Sequence, residues 1–349
     1  MQIDFNNIIK KAWEGYDASR TIASIEDLSV YVSTNRVCKV TFTDGDFIIA
    51  KLSSYGKYEF FKEDHRIIQT ISNNLLYPFE NLLAKSLLKN NRVYIYRHKK
   101  GKQDIWVVFY NPTRVMERLP RRLDESYIKS LGKQMAKFHL ACSRMKNVIP
   151  KSKKTLRTDI NALHSLVDKH PKAFGSRMHA DLIKYHCDLF LKNRLKCNVG
   201  TFDLIPIFID WNIGNFSVIN KYELFSRWDY DWFRISYRLL DFYFLSRVVS
   251  NAGDQTVFSY VIDTMMEDRF MLFLTEYHKI YPLKADEIRF MREAYRFFIL
   301  NYVVKDGNYF FSEQYAKKLR HEAFEIYLPS VDRDFDPDKI IKHLKIKDK

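Results

Sequence analysis

The sequence predicts an α+β protein with two lobes: a small antiparallel sheet that carries one helix, followed by a larger, mostly helical lobe. The first third of the chain is rich in β-branched and aromatic residues bounded by turn residues, and the hydrophobic spacing becomes helical after residue 116. A length of 349 residues suits about two domains. We therefore expect a small lobe over residues 1–115, a helical lobe over 116–329 and a loose charged tail over 330–349.

The small lobe is predicted to contain five strands in antiparallel hairpins, with turns at sites such as Asp44-Gly45. One helix over Lys57–Ser72 should cross the sheet, because apolar residues recur there at three- and four-residue spacing. Before the sheet, residues 5–13 have the same spacing and predict an amphipathic capping helix. The expected strands are Ser24–Val32, Val37–Phe42, Asp46–Leu52, Arg92–Arg97 and Asp104–Tyr110.

The large lobe is predicted to be helical except for one hairpin. That hairpin consists of Pro206–Ile219 and Leu224–Tyr230, with Asn220-Lys221 in the turn. His139 lies on an apolar helix face, where we expect a core histidine that donates to a backbone carbonyl. The expected helices are Asp124–Cys142, Leu156–Lys169, Arg177–Leu195, Tyr237–Ser250, Gln255–Ile280 and Lys284–Val304.

The positive charge is concentrated in one part of the chain. The formal net charge is +15, but residues 1–200 carry +17 and residues 201–349 carry −2. A nucleic-acid packaging protein needs positive charge along its whole contact surface, so no nucleic-acid partner is expected. The four cysteines form no CxxC pair for zinc or redox chemistry, and no secretory or membrane-spanning segment is predicted. We expect a soluble, cytoplasmic protein.

The predicted hairpin holds the residues with the most specific chemistry. It contains Asp210, Asn215 five residues later, and Asp229 at the end of the returning strand. Two carboxylates and a carboxamide suit phosphoryl transfer, in which one Asp accepts the proton of the attacking hydroxyl while Asn and the second Asp bind Mg²⁺. Asp203 and Asp231 are further candidates near such a metal. The pattern DxxxxN is also common by chance, so its place in the fold decides its meaning.

The small sheet offers a complementary cation. Lys51 ends the strand DGDFIIAK, and the following helix places Glu63 on the same stripe as Phe60 and Ile67. A carboxylate on a buried stripe needs a partner, and Lys51 is the nearest one. Such a pair would hold the ammonium on nucleotide phosphates. Glu59, one turn earlier, could pair with Lys51 instead.

Five segments in order resemble the aminoglycoside phosphotransferase and choline kinase family, which has a protein-kinase-like fold. STNRVCKVTFTDGDFIIAK, FFKEDHRII, VMERLP and LGKQMAKFHLA resemble the family's nucleotide loop and lysine strand, glutamate helix, hinge and Leu-x-x-Leu-His helix. FIDWNIGN followed by WDYD resembles its His-Gly-Asp-x-x-x-x-Asn brace and metal strand. The resemblance implies an ATP- and Mg²⁺-dependent kinase acting on a hydroxyl of a small molecule such as an aminoglycoside, an amino alcohol or a sugar.

The resemblance also assigns roles to individual residues. It implies that Asp210 is the catalytic base, that Asn215 and Asp229 bind Mg²⁺, and that Asp241 steadies the site. Residues that would bind the nucleotide are Lys51, Glu63, Ser33, Thr34 and Asn35.

The chain departs from the family pattern at two places. Phe208 and Ile209 replace the His and Gly before the catalytic Asp, and Trp211 replaces the Leu after it. Val32, Ser33 and Thr34 stand where the nucleotide loop would have glycines. These departures leave open a nucleotide-binding pseudokinase that acts as a scaffold. The sequence is also compatible with a lipopolysaccharide-core sugar kinase and with a module whose basic half docks on RNA or an anionic membrane.

Overall fold

The small lobe is a five-stranded antiparallel sheet between two helices. The computed structural model describes residues 3–29, 33, 35–101, 103–254 and 259–347. The sheet has the order β1-β2-β3-β7-β6. Helix α1 covers one face through Ile9 and Trp13, and helix α2 contributes Ile67 and Ile71 to the core on the other side. The elements of this lobe are α1 (Phe5–Tyr16), β1 (Ile22–Asp27), β2 (Arg36–Phe42), β3 (Phe47–Ser53), α2 (Tyr58–Asn74), β4 (Leu88–Lys89), β5 (Arg92–Val93), β6 (Ile95–Lys100) and β7 (Gln103–Tyr110).

The large lobe is helical and shares one apolar core with α2. Its helices α3 and α7 pack so closely that a Cβ on Gly132 would lie 2.6 Å from the carbonyl oxygen of Phe273. The elements of this lobe are α3 (Glu125–Arg144), α4 (Leu156–Lys169), α5 (Arg177–Lys196), β8 (Ile205–Ile207), β9 (Phe216–Ile219), β10 (Glu223–Arg227), β11 (Arg234–Ser236), α6 (Leu239–Val249), α7 (Asp268–Ile280), α8 (Ala285–Phe298), α9 (Gly307–Phe310), α10 (Glu313–Glu322), α11 (Leu328–Asp334) and α12 (Pro337–His343).

The expected hairpin is divided into two small sheets. β8 pairs with β11, while β9 pairs with β10. Residues 208–215 form the connection between β8 and β9, so Asp210 lies in a loop and not on a strand. Apolar residues on both sides of Asp210 are buried, which explains why the sequence resembled one continuous strand.

Several other boundaries differ from the prediction. The first strand ends at Asp27, and the residues up to Val32 lie mostly outside the described part. Within 255–280, residues 255–258 are outside the described part and the helix begins only at Asp268. The helix expected to end at Val304 changes to a π-helical segment at Ile299–Lys305. The tail predicted to be loose forms α12, because Ile340 and Ile341 are buried against the core.

Across the described ranges, no helix combines the length and the hydropathy that crossing a bilayer requires.

Candidate active site

The loop that carries Asp210 has a strained backbone held by a buried carboxylate. Ile209 has φ 63°, a left-handed conformation that is costly for a β-branched residue. Asp241, at the start of α6 and fully buried, accepts hydrogen bonds from the backbone N–H groups of Ile209 at 2.6 Å and Phe208 at 3.1 Å. The loop therefore keeps a glycine-like backbone although the sequence has isoleucine there. This places Asp241 where the resemblance predicts a steadying residue.

His139 contacts the same carboxylate. Its Nε2 lies 3.0 Å from Asp241 Oδ2, and its Nδ1 lies 2.8 Å from the hydroxyl of Tyr277. The pattern fits a tautomer in which Nε2–H donates to Asp241 and Nδ1 accepts from Tyr277. The expectation that His139 donates to a backbone carbonyl is therefore wrong. It orients the carboxylate that holds the Asp210 loop.

Lys51 bridges the two lobes. Its ammonium lies 2.8 Å from Asp229 Oδ1 and 2.7 Å from Asp231 Oδ1, and the side chain is almost completely buried. Burial alone would lower the pKa of Lys51, but the two carboxylates outweigh it and the net pKa is raised. Burial likewise opposes the charge of Asp229, yet Lys51 keeps the pKa of that carboxyl below its usual value. Lys51 is therefore a buried ammonium that joins the sheet of the small lobe to Asp229 and Asp231 of the large lobe.

The predicted pair between Lys51 and Glu63 is not formed. Oε1 of Glu63 accepts a hydrogen bond from the backbone N–H of Lys153 at 2.9 Å, and Glu59, the second candidate partner, is exposed. The face of α2 turned toward the core carries His65, whose Nε2 lies 2.6 Å from the hydroxyl of Tyr110. An uncharged imidazole can be buried there without an ionic partner, and burial lowers the pKa of His65 to about 4.

Arg227 ties the Asp210 loop to the Asp229 turn. It is fully buried, and its guanidinium donates to the carbonyl oxygens of Asp210 at 2.9 Å and Asp229 at 2.5 Å. Its Cζ lies 4.3 Å from the ring centroid of Phe208 and 4.8 Å from that of Trp211. Phe208 stands where the resemblance to the kinase family predicts a histidine. Arg227 therefore stacks on the ring of Phe208 and joins the Asp210 loop to the Asp229 turn through its hydrogen bonds.

Sequence reasoning did not identify Arg227. Arg227 is the last residue of β10, two residues before Asp229, but its hydrogen-bond acceptors are backbone carbonyls, which have no sequence signal. Asp231 was a secondary candidate, and the structure brings it to Lys51. Asp203, the other, lies elsewhere, beside Tyr281.

Asp210, Asn215 and Asp229 line one cavity of about 160 Å³. Asn215 Nδ2 donates to the carbonyl oxygen of Asp210 at 3.3 Å, and its backbone carbonyl accepts from the N–H of Trp228 at 3.0 Å, so it is anchored to both loops. Burial, assisted by the charge of Asp229, raises the pKa of Asp210 to about 7. A carboxylate with that pKa can accept a proton near neutral pH.

The donor set of this cavity fits a hard divalent cation. No group of three or more His, Cys, Asp and Glu side chains in the described ranges is arranged to hold a metal ion alone. Asn215 and Asp229 nevertheless supply oxygen ligands on one cavity wall. Mg²⁺ commonly takes one or two protein oxygens and completes its shell with water and phosphate oxygens. The residues therefore fit Mg²⁺ bound together with a nucleotide.

Two residues of the expected nucleotide loop, Ser33 and Asn35, lie close to this site. Ser33 lines it and forms an isolated bridge with Phe311 in the large lobe. Asn35 Nδ2 donates to Asp231 Oδ2 at 2.7 Å, so this loop is also linked to the Lys51 cluster. Thr34 lies outside the described residues.

Comparison with solved structures identifies the fold. Amicoumacin kinase hAmiN, in complex with AMP-PNP, Ca²⁺ and Ami, matches with TM-score 0.60, 12% identity and coverage of 97% of each chain. This is the fold of the aminoglycoside phosphotransferases. A microcompartment-associated aminopropanol kinase matches with TM-score 0.63, 14% identity and coverage of 95% of this chain and 99% of that chain. Wild-type aminoglycoside 2'-phosphotransferase-IIIa, a GDP complex, matches with TM-score 0.55, 12% identity and coverage of 94% and 99%.

The matches confirm the predicted two-lobed, protein-kinase-like fold. The sequence matches no protein-family model and no curated protein.

Proposed function

We propose that the protein is an ATP- and Mg²⁺-dependent phosphotransferase that phosphorylates a hydroxyl group of a small molecule. The observation that supports this most strongly is the convergence of Asp210, Asn215 and Asp229 on one cavity, with Lys51 2.8 Å from Asp229. Lys51, the 208–215 loop that carries Asp210 and Asn215, and Asp229 come from three separate segments of the chain. Their grouping within this fold supports a catalytic centre better than chance spacing does.

Each residue has a role that its position supports. Asp210 accepts a hydrogen bond from the acceptor hydroxyl and takes its proton, and Arg227 and Asp241 hold the loop on which it lies. Asn215 and Asp229 would hold Mg²⁺, which would neutralise charge on the phosphates of ATP, and ATP would supply the phosphoryl group. Lys51 would turn from Asp231 to the phosphates. Before the nucleotide binds, the carboxylates of Asp229 and Asp231 keep Lys51 charged and hold it in place.

The wall of the cavity indicates what kind of acceptor fits. Besides Asp210, Asp229 and Asp231 it includes aromatic residues, and no lysine or arginine belongs to its described lining. Carboxylates and aromatic faces favour neutral or cationic groups and disfavour anions. We therefore propose a neutral or amine-bearing alcohol as acceptor. The aromatic lining residues are Trp232, Tyr260, Phe310 and Phe311.

A pseudokinase is the second candidate, and two observations favour it. Lys51 is engaged by two carboxylates, and Ser33 forms a bridge with Phe311 at the wall of the cavity. A scaffold that binds nucleotide without turnover would tolerate this arrangement. The two candidates agree on nucleotide binding and differ on transfer.

The test measures binding and turnover separately. Calorimetry with ATP and with GTP, with and without Mg²⁺, should give metal-dependent binding that Asp229→Asn weakens and Asp210→Asn retains. ADP release should rise with one or more members of a panel of hydroxyl compounds, and Asp210→Asn should abolish that rise. Asp203→Asn is the matched control, because Asp203 lies outside the cavity and should leave turnover unchanged. Unchanged turnover in Asp210→Asn would contradict the proposal, and binding without any turnover would favour the pseudokinase.

A further inference from the structure

Most of the positive charge has no role in the proposed reaction. Residues 151–200 alone carry 11 basic and 4 acidic side chains. Lys51 and Arg227 contact residues of the predicted site, and no arginine or lysine is among the described residues that line the Asp210 cavity. The structure gathers part of this surplus charge in a second place.

That place is a groove of about 650 Å³ in the large lobe. It lies between the end of α3, the start of α4, the end of α5 and β11, and its described lining includes none of Asp210, Asn215 and Asp229. Its volume is in the range of pockets that bind small molecules. We call it the basic groove.

Five cations line the basic groove against one carboxylate. Lys154 is paired with Asp64, but the other four have no ion pair or hydrogen bond with any described residue. The carboxylate is that of Asp203, which already accepts a hydrogen bond from the hydroxyl of Tyr281 at 3.0 Å. The four unpaired cations are Lys146, Lys151, Arg157 and Arg194.

These cations differ from the buried arginines of the same lobe. Arg238 is paired with Glu287 at 2.6 Å, and Arg234 with Asp159 at 2.6 Å. In the basic groove, Lys146, Lys151 and Arg157 are exposed and Arg194 is half-buried, so their charged groups are accessible to a ligand. Like charges brought together without counter-charges repel one another, and a bound anion removes that repulsion. Two arginines on different helices, Arg157 on α4 and Arg194 on α5, offer the planar donor forks that match phosphate oxygens.

The groove also has apolar walls. Ile149, Phe202 and Tyr237 line it beside the cations, and Phe202 and Tyr237 pack edge to face at 5.5 Å. A ligand that satisfies both parts has an anionic group and an apolar or aromatic body. We propose that the basic groove binds a phosphate ester with an apolar body, either a soluble metabolite or the headgroup region of an anionic lipid.

The test uses 1-naphthyl phosphate as probe, with 1-naphthol and inorganic phosphate for comparison. Calorimetry should show binding of 1-naphthyl phosphate, weaker binding of inorganic phosphate and little binding of 1-naphthol. The double variant Arg157→Glu/Arg194→Glu should weaken probe binding roughly tenfold or more, because each arginine gives charge-assisted hydrogen bonds. The matched control is Lys169→Glu/Lys192→Glu, which makes the same charge change on the same two helices outside the groove and should leave affinity unchanged.

Two further arms assign the source of the phosphate and exclude the active site. Lys51→Met should leave probe binding unchanged, which separates the groove from the proposed nucleotide site. Sedimentation with phosphatidylcholine vesicles containing phosphatidic acid, lost in the groove variant but not in its control, would assign the ligand to lipid. Probe binding without sedimentation would assign it to a soluble ester. No binding to the wild-type protein, or equal loss in both double variants, would overturn the proposal.

Discussion

Replacing Arg227 by methionine tests how the two loops of the site are held together. Methionine keeps much of the side-chain volume and removes the charge and the donors. The change deletes hydrogen bonds to the carbonyls of Asp210, Trp228 and Asp229. Asp210 keeps Asn215 as a donor to its carbonyl, so the carbonyls of Trp228 and Asp229 lose more than that of Asp210. Hydrogen bonds to charged groups contribute about 1.5–3 kcal/mol each, and relief of the buried charge offsets part of this, so we expect a net loss of about 2–4 kcal/mol.

The same replacement should affect catalysis more than its effect on stability explains. Movement of the Asp210 loop by about 1 Å can lower a rate roughly a hundredfold. We therefore expect kcat of Arg227→Met to fall by about tenfold to a hundredfold, with a smaller change in the KM for acceptor. Arg227→Lys, which keeps the charge but not the fork, should be intermediate.

The assay combines urea unfolding with steady-state kinetics. Arg296→Met is the control, because Arg296 is equally buried and pairs with Glu293 and Asp332 away from the site. It should lose stability but keep kcat per folded molecule. A free energy of unfolding of Arg227→Met within about 0.5 kcal/mol of the wild type, or a kcat equal to that of Arg296→Met, would show that Arg227 does not hold the two loops together.

Buried groups lead to three more predictions. Because the pKa of His65 is lowered from 6.5 to about 4, the unfolded chain binds more protons between these values, and the free energy of unfolding should fall by on the order of 3 kcal/mol from pH 6.5 to pH 4. His65→Gln should flatten this part of the pH dependence in urea titrations, and an unchanged slope would contradict the prediction. Gly132→Ala would place a methyl group 2.6 Å from the carbonyl oxygen of Phe273 and should lower the free energy of unfolding by about 1–3 kcal/mol in the same titrations. A methyl group on Gly45 would meet open space, so Gly45→Ala measures the cost of a positive φ without a steric contact. Thiol labelling with a disulfide reagent at neutral pH should proceed only on unfolding, because burial raises the pKa of every cysteine; rapid labelling of the native protein would count against this packing. These cysteines are Cys38, Cys142, Cys187 and Cys197.

The parts of the fold that were predictable are those with a local periodic signal. The β-rich composition identified the strand that carries Lys51, and helical spacing identified α3, α4 and α5 almost to their ends. The position of Asp210 in a loop was not predictable, because its apolar neighbours pack in the core from a non-repetitive backbone.

The errors in the site have the same physical origin. Helical spacing predicted that Glu63 faces the interior, but the buried face of α2 carries His65 instead. Once Asp229 and Asp231 satisfy Lys51, no carboxylate from α2 is needed. Arg227 acts through backbone carbonyls, and His139 acts through Asp241, which is distant in sequence. Such tertiary partners leave no local pattern in the sequence.

Transfer of a phosphoryl group can be observed directly by ³¹P NMR. The wild-type protein, Mg²⁺, ATP and an acceptor that stimulates ADP release are followed in one tube. The account predicts a new phosphate monoester resonance that grows as the γ-phosphate resonance of ATP declines, and no such resonance with Asp210→Asn under conditions where ATP still binds. A monoester resonance of equal intensity with Asp210→Asn would contradict the central claim, as would loss of the γ-phosphate resonance into inorganic phosphate alone.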